Sequence, residues 1–114
     1  QAIAVSLFID PDKIQIDAVK KLGINMIELH TGRYADAKNK KKQNKYFKEL
    51  ETAVNYARNK NLHVFAGHGL NYYNVSRIAK IKCIEELNIG YSIVCRAVLV
   101  GLHQAVREMK SLIL

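Results

Sequence analysis

The run at 3–10 (IAVSLFID) is β-branched and aromatic and reads as a strand, as do the segments at 24–31 (INMIELHT), 62–68 (LHVFAGH) and within 84–90 (IEELNIG), and each is followed by a stretch that favours a helix. Such alternation predicts a parallel α/β sheet, because parallel neighbours need a crossover and a helix is the usual one. After the first run, Asp10 stands as N-cap and Pro11 as first helical residue of a helix with Ile14, Ala18 and Leu22 as its apolar stripe, ended by Gly23. A polar connection, GRYADAKNKKKQN, leads to a second helix with Phe47, Leu50, Val54 and Ala57 at helical spacing. A short helix around Val75 to Ile81, behind Asn74, follows the third strand. A long one, capped by Ser92 and running to about Leu112, follows the fourth.

The strands carry a second periodicity. Ser6 and Asp10 fall four residues apart, and Glu28 and His30, like Glu86 and Asn88, fall two apart, so each pair shares one face of its strand. The other phase, Val5, Leu7 and Ile9, then Ile27 and Leu29, then Leu87 and Ile89, is apolar enough to meet helices. Parallel strands covered on both sides are usually apolar throughout. An apolar outer face and a partly polar inner one are what a barrel with a lined interior requires. A barrel of eight βα units takes about 250 residues, and this 114-residue chain holds four. The expectation is half of a (β/α)8 TIM barrel in a single domain over 1–114. Alone it exposes two sheet edges, so it pairs with the other half, pairs with a copy of itself, or folds differently.

Composition narrows the function classes. Hydrophobic residues make up 49% and charged residues 25%, which places the chain among globular proteins. No apolar run suits a membrane span and no signal peptide is evident, so no membrane association is expected. The chain opens on Gln1 rather than methionine, which points to an upstream segment that was removed or left out. Cys83 and Cys95 lack zinc-ligand spacing and are expected to be reduced, buried thiols of a cytoplasmic protein. The net charge of +8 is concentrated in KNKKKQNK, residues 38 to 45. With no arginine–aromatic platform beside it, that run is expected to be a solvated loop and helix start, not a nucleic-acid surface.

Two glycine turns close the last two strands. AGHGLNYYNV (66–75) puts His68 between Gly67 and Gly69, and ELNIGYS (86–92) runs through Gly90 into a helix. A helix start offers unpaired N–H groups to an anion, and barrels often hold phosphate in the loops after their last two strands. His68 is suited to proton transfer near neutrality, or else donates a hydrogen bond within its own turn. Glu28, a carboxylate in an apolar strand, needs a partner or a task. His30, on the same face, is the candidate partner in a structural role. His63 and His103 fit ordinary strand-start and helix-surface positions.

VSLFIDPD, IELHTGRYADA, AGHGLNYYNV and ELNIGYSIVCRAVLVGLHQAVREMK, taken in order, resemble consecutive blocks of the pyridoxine 5′-phosphate synthases, from the fifth strand of that barrel to its last helix. The resemblance implies the last four βα units, the C-terminal half of the barrel, with the N-terminal half absent from this sequence. It implies an enzyme, a transferase of vitamin B6 biosynthesis. That enzyme condenses 1-deoxy-D-xylulose 5-phosphate with 3-amino-2-oxopropyl phosphate, giving pyridoxine 5′-phosphate, phosphate and water, with no metal or organic cofactor. It implies His68 as proton donor, Glu28 as the group that stabilises the transition state, and Gly69, Gly90 and Tyr91 as the contacts of the amino ketone's phosphate. Partners would be the phosphorylated substrates, the other half of the barrel and further copies of the protein in a homo-oligomer. Tyr91 and Tyr73 depart from the family, which usually has histidine at both positions. The general bases and the other phosphate-binding arginines of the family belong to the first half, so the 114-residue chain alone is expected to be inactive. The alternatives are another phosphate-binding barrel enzyme and a non-catalytic basic half-barrel that binds through its lysines.

Overall fold

The computed structural model describes residues 2–114; Gln1, on which the expectation of an upstream segment rests, lies outside the described residues. The elements are β1 (Ser6–Ile9), α1 (Lys13–Lys21), β2 (Met26–His30), α2 (Gly32–Ala35), α3 (Lys40–Asn59), β3 (His63–Gly67), α4 (Val75–Ala79), β4 (Ile84–Asn88), α5 (Tyr91–Val100) and α6 (Leu102–Ile113). The strands form one parallel sheet in the order β1-β2-β3-β4. Each strand thus lies beside the one before it, as in a half of a (β/α)8 barrel; a doubly wound sheet reverses direction. The molecule is a slab only 20 Å across its shortest dimension.

Strand phase follows the sequence pattern. Ile27 and Leu29 of β2 and Val64 and Ala66 of β3 are fully buried against Leu50, Ala53, Val54 and Ala57 of α3. Ile16 and Val19 of α1 and Ile78 of α4 extend the same core. On the other face the register aligns Phe8, Glu28, Phe65 and Glu86 in one row and His30, Gly67 and Asn88 in the next. A shift between β3 and β4 at Val64/Phe65 leaves Glu85 out of the ladder. Its carboxylate instead accepts from Arg58 Nη1 at 2.8 Å and meets His63 Nδ1 at 2.9 Å.

Several local expectations are corrected. Helix α1 is capped by Asp12, whose extended backbone (φ −129°) lets its carboxylate accept from Ile14 N at 3.1 Å; Asp10 and Pro11 belong to the preceding turn. The buried stripe of α1 is therefore Ile16 and Val19, whereas Ile14 and Leu22 are 79% and 69% exposed. Gly23 does terminate this helix, with φ +75° and its N–H donating to Lys20 O. The polar connection contains α2, whose Tyr34 is buried and donates its hydroxyl proton to Asn74 O at 2.9 Å. Asn74 precedes α4 but makes no side-chain cap to it. The lysine run begins α3, with Asn39 accepting from Lys42 N at 2.9 Å. Gly90, rather than Ser92, is the N-cap position of the helix after β4, α5. The long helix is broken at Gly101, whose φ of 82° and ψ of 154° are glycine geometry. Arg96 and Glu108 then bridge the two pieces by paired hydrogen bonds of 2.8 and 3.1 Å. Both cysteines are exposed. Among the described residues no helix is long and apolar enough to cross a membrane.

The corrected face of α1 is open to test. Ile16→Ala should destabilise the protein by about 2–5 kcal/mol in denaturant unfolding, as for other buried aliphatics. Ile14→Ala should change it by less than about 0.5 kcal/mol.

A second test concerns pH. Lys60 Nζ lies 3.0 Å from Asp17, and Tyr56 donates its hydroxyl proton to the same carboxylate, joining α1 to α3. These hydrogen bonds hold the Asp17 carboxyl below its ordinary value, and Arg96 with Gln104 does the same for Glu108. A lowered folded-state pKa makes the contribution complete above the ordinary values of 3.8 and 4.5 and removes it as pH falls through the lowered ones. The melting temperature should fall with acid below that range, less steeply in Asp17→Asn combined with Glu108→Gln.

Candidate active site at the carboxyl ends of the strands

The inner face of the sheet rises at its C-terminal end into a cleft of about 590 Å³ lined by Phe8, Glu28, His68, Gly69, Leu70, Asn88, Ile89, Gly90 and Tyr91. All five residues singled out from the sequence are in it. They arrive from three places: Glu28 from the inner face of β2, His68 and Gly69 from the turn after β3, Gly90 and Tyr91 from the junction of β4 with α5.

The two glycine turns are built differently. After β3 the chain enters the left-handed region at two successive residues, His68 (φ 86°) and Gly69 (φ 77°). For a histidine this conformation costs on the order of 1–3 kcal/mol, so surrounding contacts must impose it. Thr31 donates its hydroxyl proton towards Gly67 O (2.7 Å) and His68 O (2.6 Å), and Asn74 Nδ2 donates to Gly69 O at 3.2 Å. The turn is therefore tied to β2 on one side and to the start of α4 on the other. Nothing comparable encloses Gly90, where an added Cβ would meet no atom within 4 Å. Gly90 O accepts the first bond of α5, from Val94 N at 3.0 Å. The N–H groups of Tyr91, Ser92 and Ile93 consequently have no intrahelical acceptor.

Side-chain positions revise the expected pairing of Glu28 with His30. Glu28 is half-buried beside open space, and its carboxylate reaches over Gly67, where an added Cβ would collide with Oε1 and lie 2.9 Å from Asn88 O. Among the described residues it forms no hydrogen bond or ion pair, so His30 is not its partner. The His30 ring instead packs on His68, centroids 4.7 Å apart and planes 34° apart, with Phe8 edge-on at 5.0 Å. His30 Nδ1 stands 3.8 Å from Asp10. His63 is the strand-start residue expected, held by Glu85, and His103 is exposed on α6. Tyr73 is 99% exposed and away from the cleft, while Tyr91 lines it and is 87% exposed.

Thr31, Gly32 and Gly67 were not picked out as site residues from the sequence. Gly67 was legible in principle, since its phase puts it on the polar face of β3. Gly32 was not, because the clearance it gives to His30 and His68 depends on side chains from two strands: an added Cβ would stand 2.6 Å from His30 Cε1 and 3.1 Å from His68 Cδ2. Among the described residues no three His, Cys, Asp or Glu side chains gather as metal ligands.

The sequence profile of the family described as pyridoxal phosphate biosynthesis protein PdxJ matches residues 1–114, the full chain. The chain belongs to the PdxJ family. It is 56% identical over 114 residues to the pyridoxine 5′-phosphate synthase of Sulfurihydrogenibium sp. (strain YO3AOP1), covering 100% of this chain and 46% of the relative. It is 54% identical over 111 residues to that of Coxiella burnetii (strain RSA 493 / Nine Mile phase I), covering 97% and 46%. With that of Blochmanniella pennsylvanica (strain BPEN) the figures are 50% over 111 residues, again 97% and 46%. The chain thus spans about half the length of the curated relatives it matches. The four parallel βα units of this PdxJ family member form half of a barrel.

The glycines give a stability test. Gly67→Ala should cost about 1–3 kcal/mol by forcing Glu28 and the Asn88 backbone apart. Gly90→Ala, in open space, should alter unfolding by less than about 0.5 kcal/mol.

Proposed function

We propose that this chain is the C-terminal half of a pyridoxine 5′-phosphate synthase. The enzyme condenses 1-deoxy-D-xylulose 5-phosphate with 3-amino-2-oxopropyl phosphate to give pyridoxine 5′-phosphate, phosphate and water. The observation that carries this reading is the convergence of Glu28, His68, Gly69, Gly90 and Tyr91 on one cleft, in a chain of the PdxJ family. In it the phosphate of the amino ketone lies against Gly69, Gly90 and the open N–H groups at the start of α5, which supply donors and a partial positive charge. Tethered there, the substrate is held for reaction instead of meeting its partner by chance.

His68 acts as the proton donor to a departing oxygen, its ring held against His30. Glu28 offers a carboxylate whose acceptor positions are not engaged by the other described residues and stabilises cationic character that develops during condensation and ring closure. The remaining acid–base groups and phosphate contacts come from the N-terminal half of the barrel. The complete protein works as a cytoplasmic homo-oligomer; the exposed apolar residues Val94, Val98 and Leu99 of α5 are surface for that half or for another copy. The lysines that open α3 lie on its exposed turns and take no nucleic acid in this reading.

In the complete protein, His68→Ala should lower kcat by about 10²–10⁴-fold and leave the dissociation constant for 3-amino-2-oxopropyl phosphate within about threefold. Single-turnover kinetics with calorimetry separate the two. Lost binding with kcat intact would move His68 from chemistry to recognition. The purified 114-residue chain should make no product, and turnover by it would overturn the division of labour between the halves.

A further inference from the structure

His68 is presented to the cleft by a turn whose backbone it does not itself favour, and the group that meets that backbone comes from a different strand. Thr31, one residue beyond β2, is fully buried. Its N–H donates to Gly67 O at 2.8 Å, and its hydroxyl lies 2.7 Å from the same oxygen and 2.6 Å from His68 O. A threonine hydroxyl has a single proton, so the two carbonyls share it; Thr31 itself is buried, while His68 stands at the surface of the cleft. A residue at φ 86° directs its carbonyl differently from an extended strand, and Thr31 stands where that carbonyl points. The next residue, Gly32, gives the room that any side chain would remove: an added Cβ would press on both His30 and His68. One dipeptide therefore fixes the main chain of His68 and clears the space for its ring.

We propose that Thr31 is a positioning residue for His68: its hydroxyl holds the turn after β3 in the left-handed conformation that aims the imidazole into the cleft. The proposal rests on the proton-donor role of His68 argued above. A lost hydroxyl would let the turn relax towards ordinary backbone geometry. A misplacement of about 1 Å at a reacting group can cost on the order of 100-fold in rate.

The test uses the complete protein and two variants that both lose the threonine methyl but differ in the hydroxyl. Thr31→Ser should keep kcat within about threefold of the parent. Thr31→Ala should lower it by about ten- to a hundredfold, with KM within about threefold. In a His68→Ala background, Thr31→Ala should add less than about a twofold loss, because a residue acting through His68 has nothing left to act on. Equal kcat for the serine and alanine variants would overturn the proposal, as would a full further loss in the His68→Ala background, which marks a general structural role. If Thr31→Ala fails to fold while Thr31→Ser is active, Thr31→Val supplies the hydroxyl-free chain, and its kcat is judged by the same limits. Failure of Thr31→Ala to fall while His68→Ala abolishes turnover refutes this inference alone. Unchanged turnover in His68→Ala refutes the underlying role.

Discussion

A parallel strand has two faces, and in this chain the packing of α3 on β2 and β3 decides which residues receive which. Ile27, Leu29, Val64 and Ala66 lose their water against Leu50, Ala53, Val54 and Ala57, each buried aliphatic side chain worth roughly 1.5–3 kcal/mol. A slip of one residue would turn all four to the open face. Once that register is held, Glu28, His30 and Gly67 have no choice but to share the opposite side, and the cleft follows. The site is thus a by-product of a hydrophobic constraint on its reverse face.

Above the sheet the constraint changes character, from apolar burial to hydrogen bonding. The turn after β3 is irregular, and the carbonyls of Gly67, His68 and Gly69 accept hydrogen bonds from side chains of other segments. Thr31, Asn74 and Tyr34 supply them or bind the segments that do. The turn after β4 has no such ties, yet its open N–H groups suit an anion better than a fixed proton donor. A histidine that must transfer a proton needs a defined position before the substrate arrives. A phosphate cradle made of main-chain donors can complete itself around a dianion. On the proposed reading, the more tightly tied turn carries the proton donor and the more open one the phosphate.

The sequence made some of this legible and hid the rest for definite reasons. The two-residue period of Glu28 with His30 and of Ile27 with Leu29 is a local property, and strand faces followed from it. The buried stripe of α1 is hidden in the sequence because Ile14 and Ile16 are equally apolar; only the position of the cap, at Asp12 instead of Asp10, decides between them. The break at Gly101 is silent in a run that stays apolar through Leu102, and it is visible only once φ is known. His30 was matched to Glu28 because they share a face. Its real neighbour, His68, belongs to the turn after the next strand, and which side chains meet there depends on register and on the room left by Gly32. Pairings of that kind are three-dimensional facts with no one-dimensional trace.

Tyr91 shows how the same distinction bears on the departure from the family pattern. It is the first residue of α5, its side chain is 87% exposed, and its N–H belongs to the first turn, where helices have no internal acceptor to offer. On the proposed reading the phosphate meets this position through the main chain. Tyrosine and histidine then present the same donor at the same place, because the direction of that N–H is set by Gly90 and by the bond from Val94 to Gly90 O. The side chain remains free at the rim, where its aromatic ring changes the wall of the cleft but not the cradle at its base. On that reading, a substitution that looks severe in the alphabet of side chains is conservative in the alphabet of backbone donors.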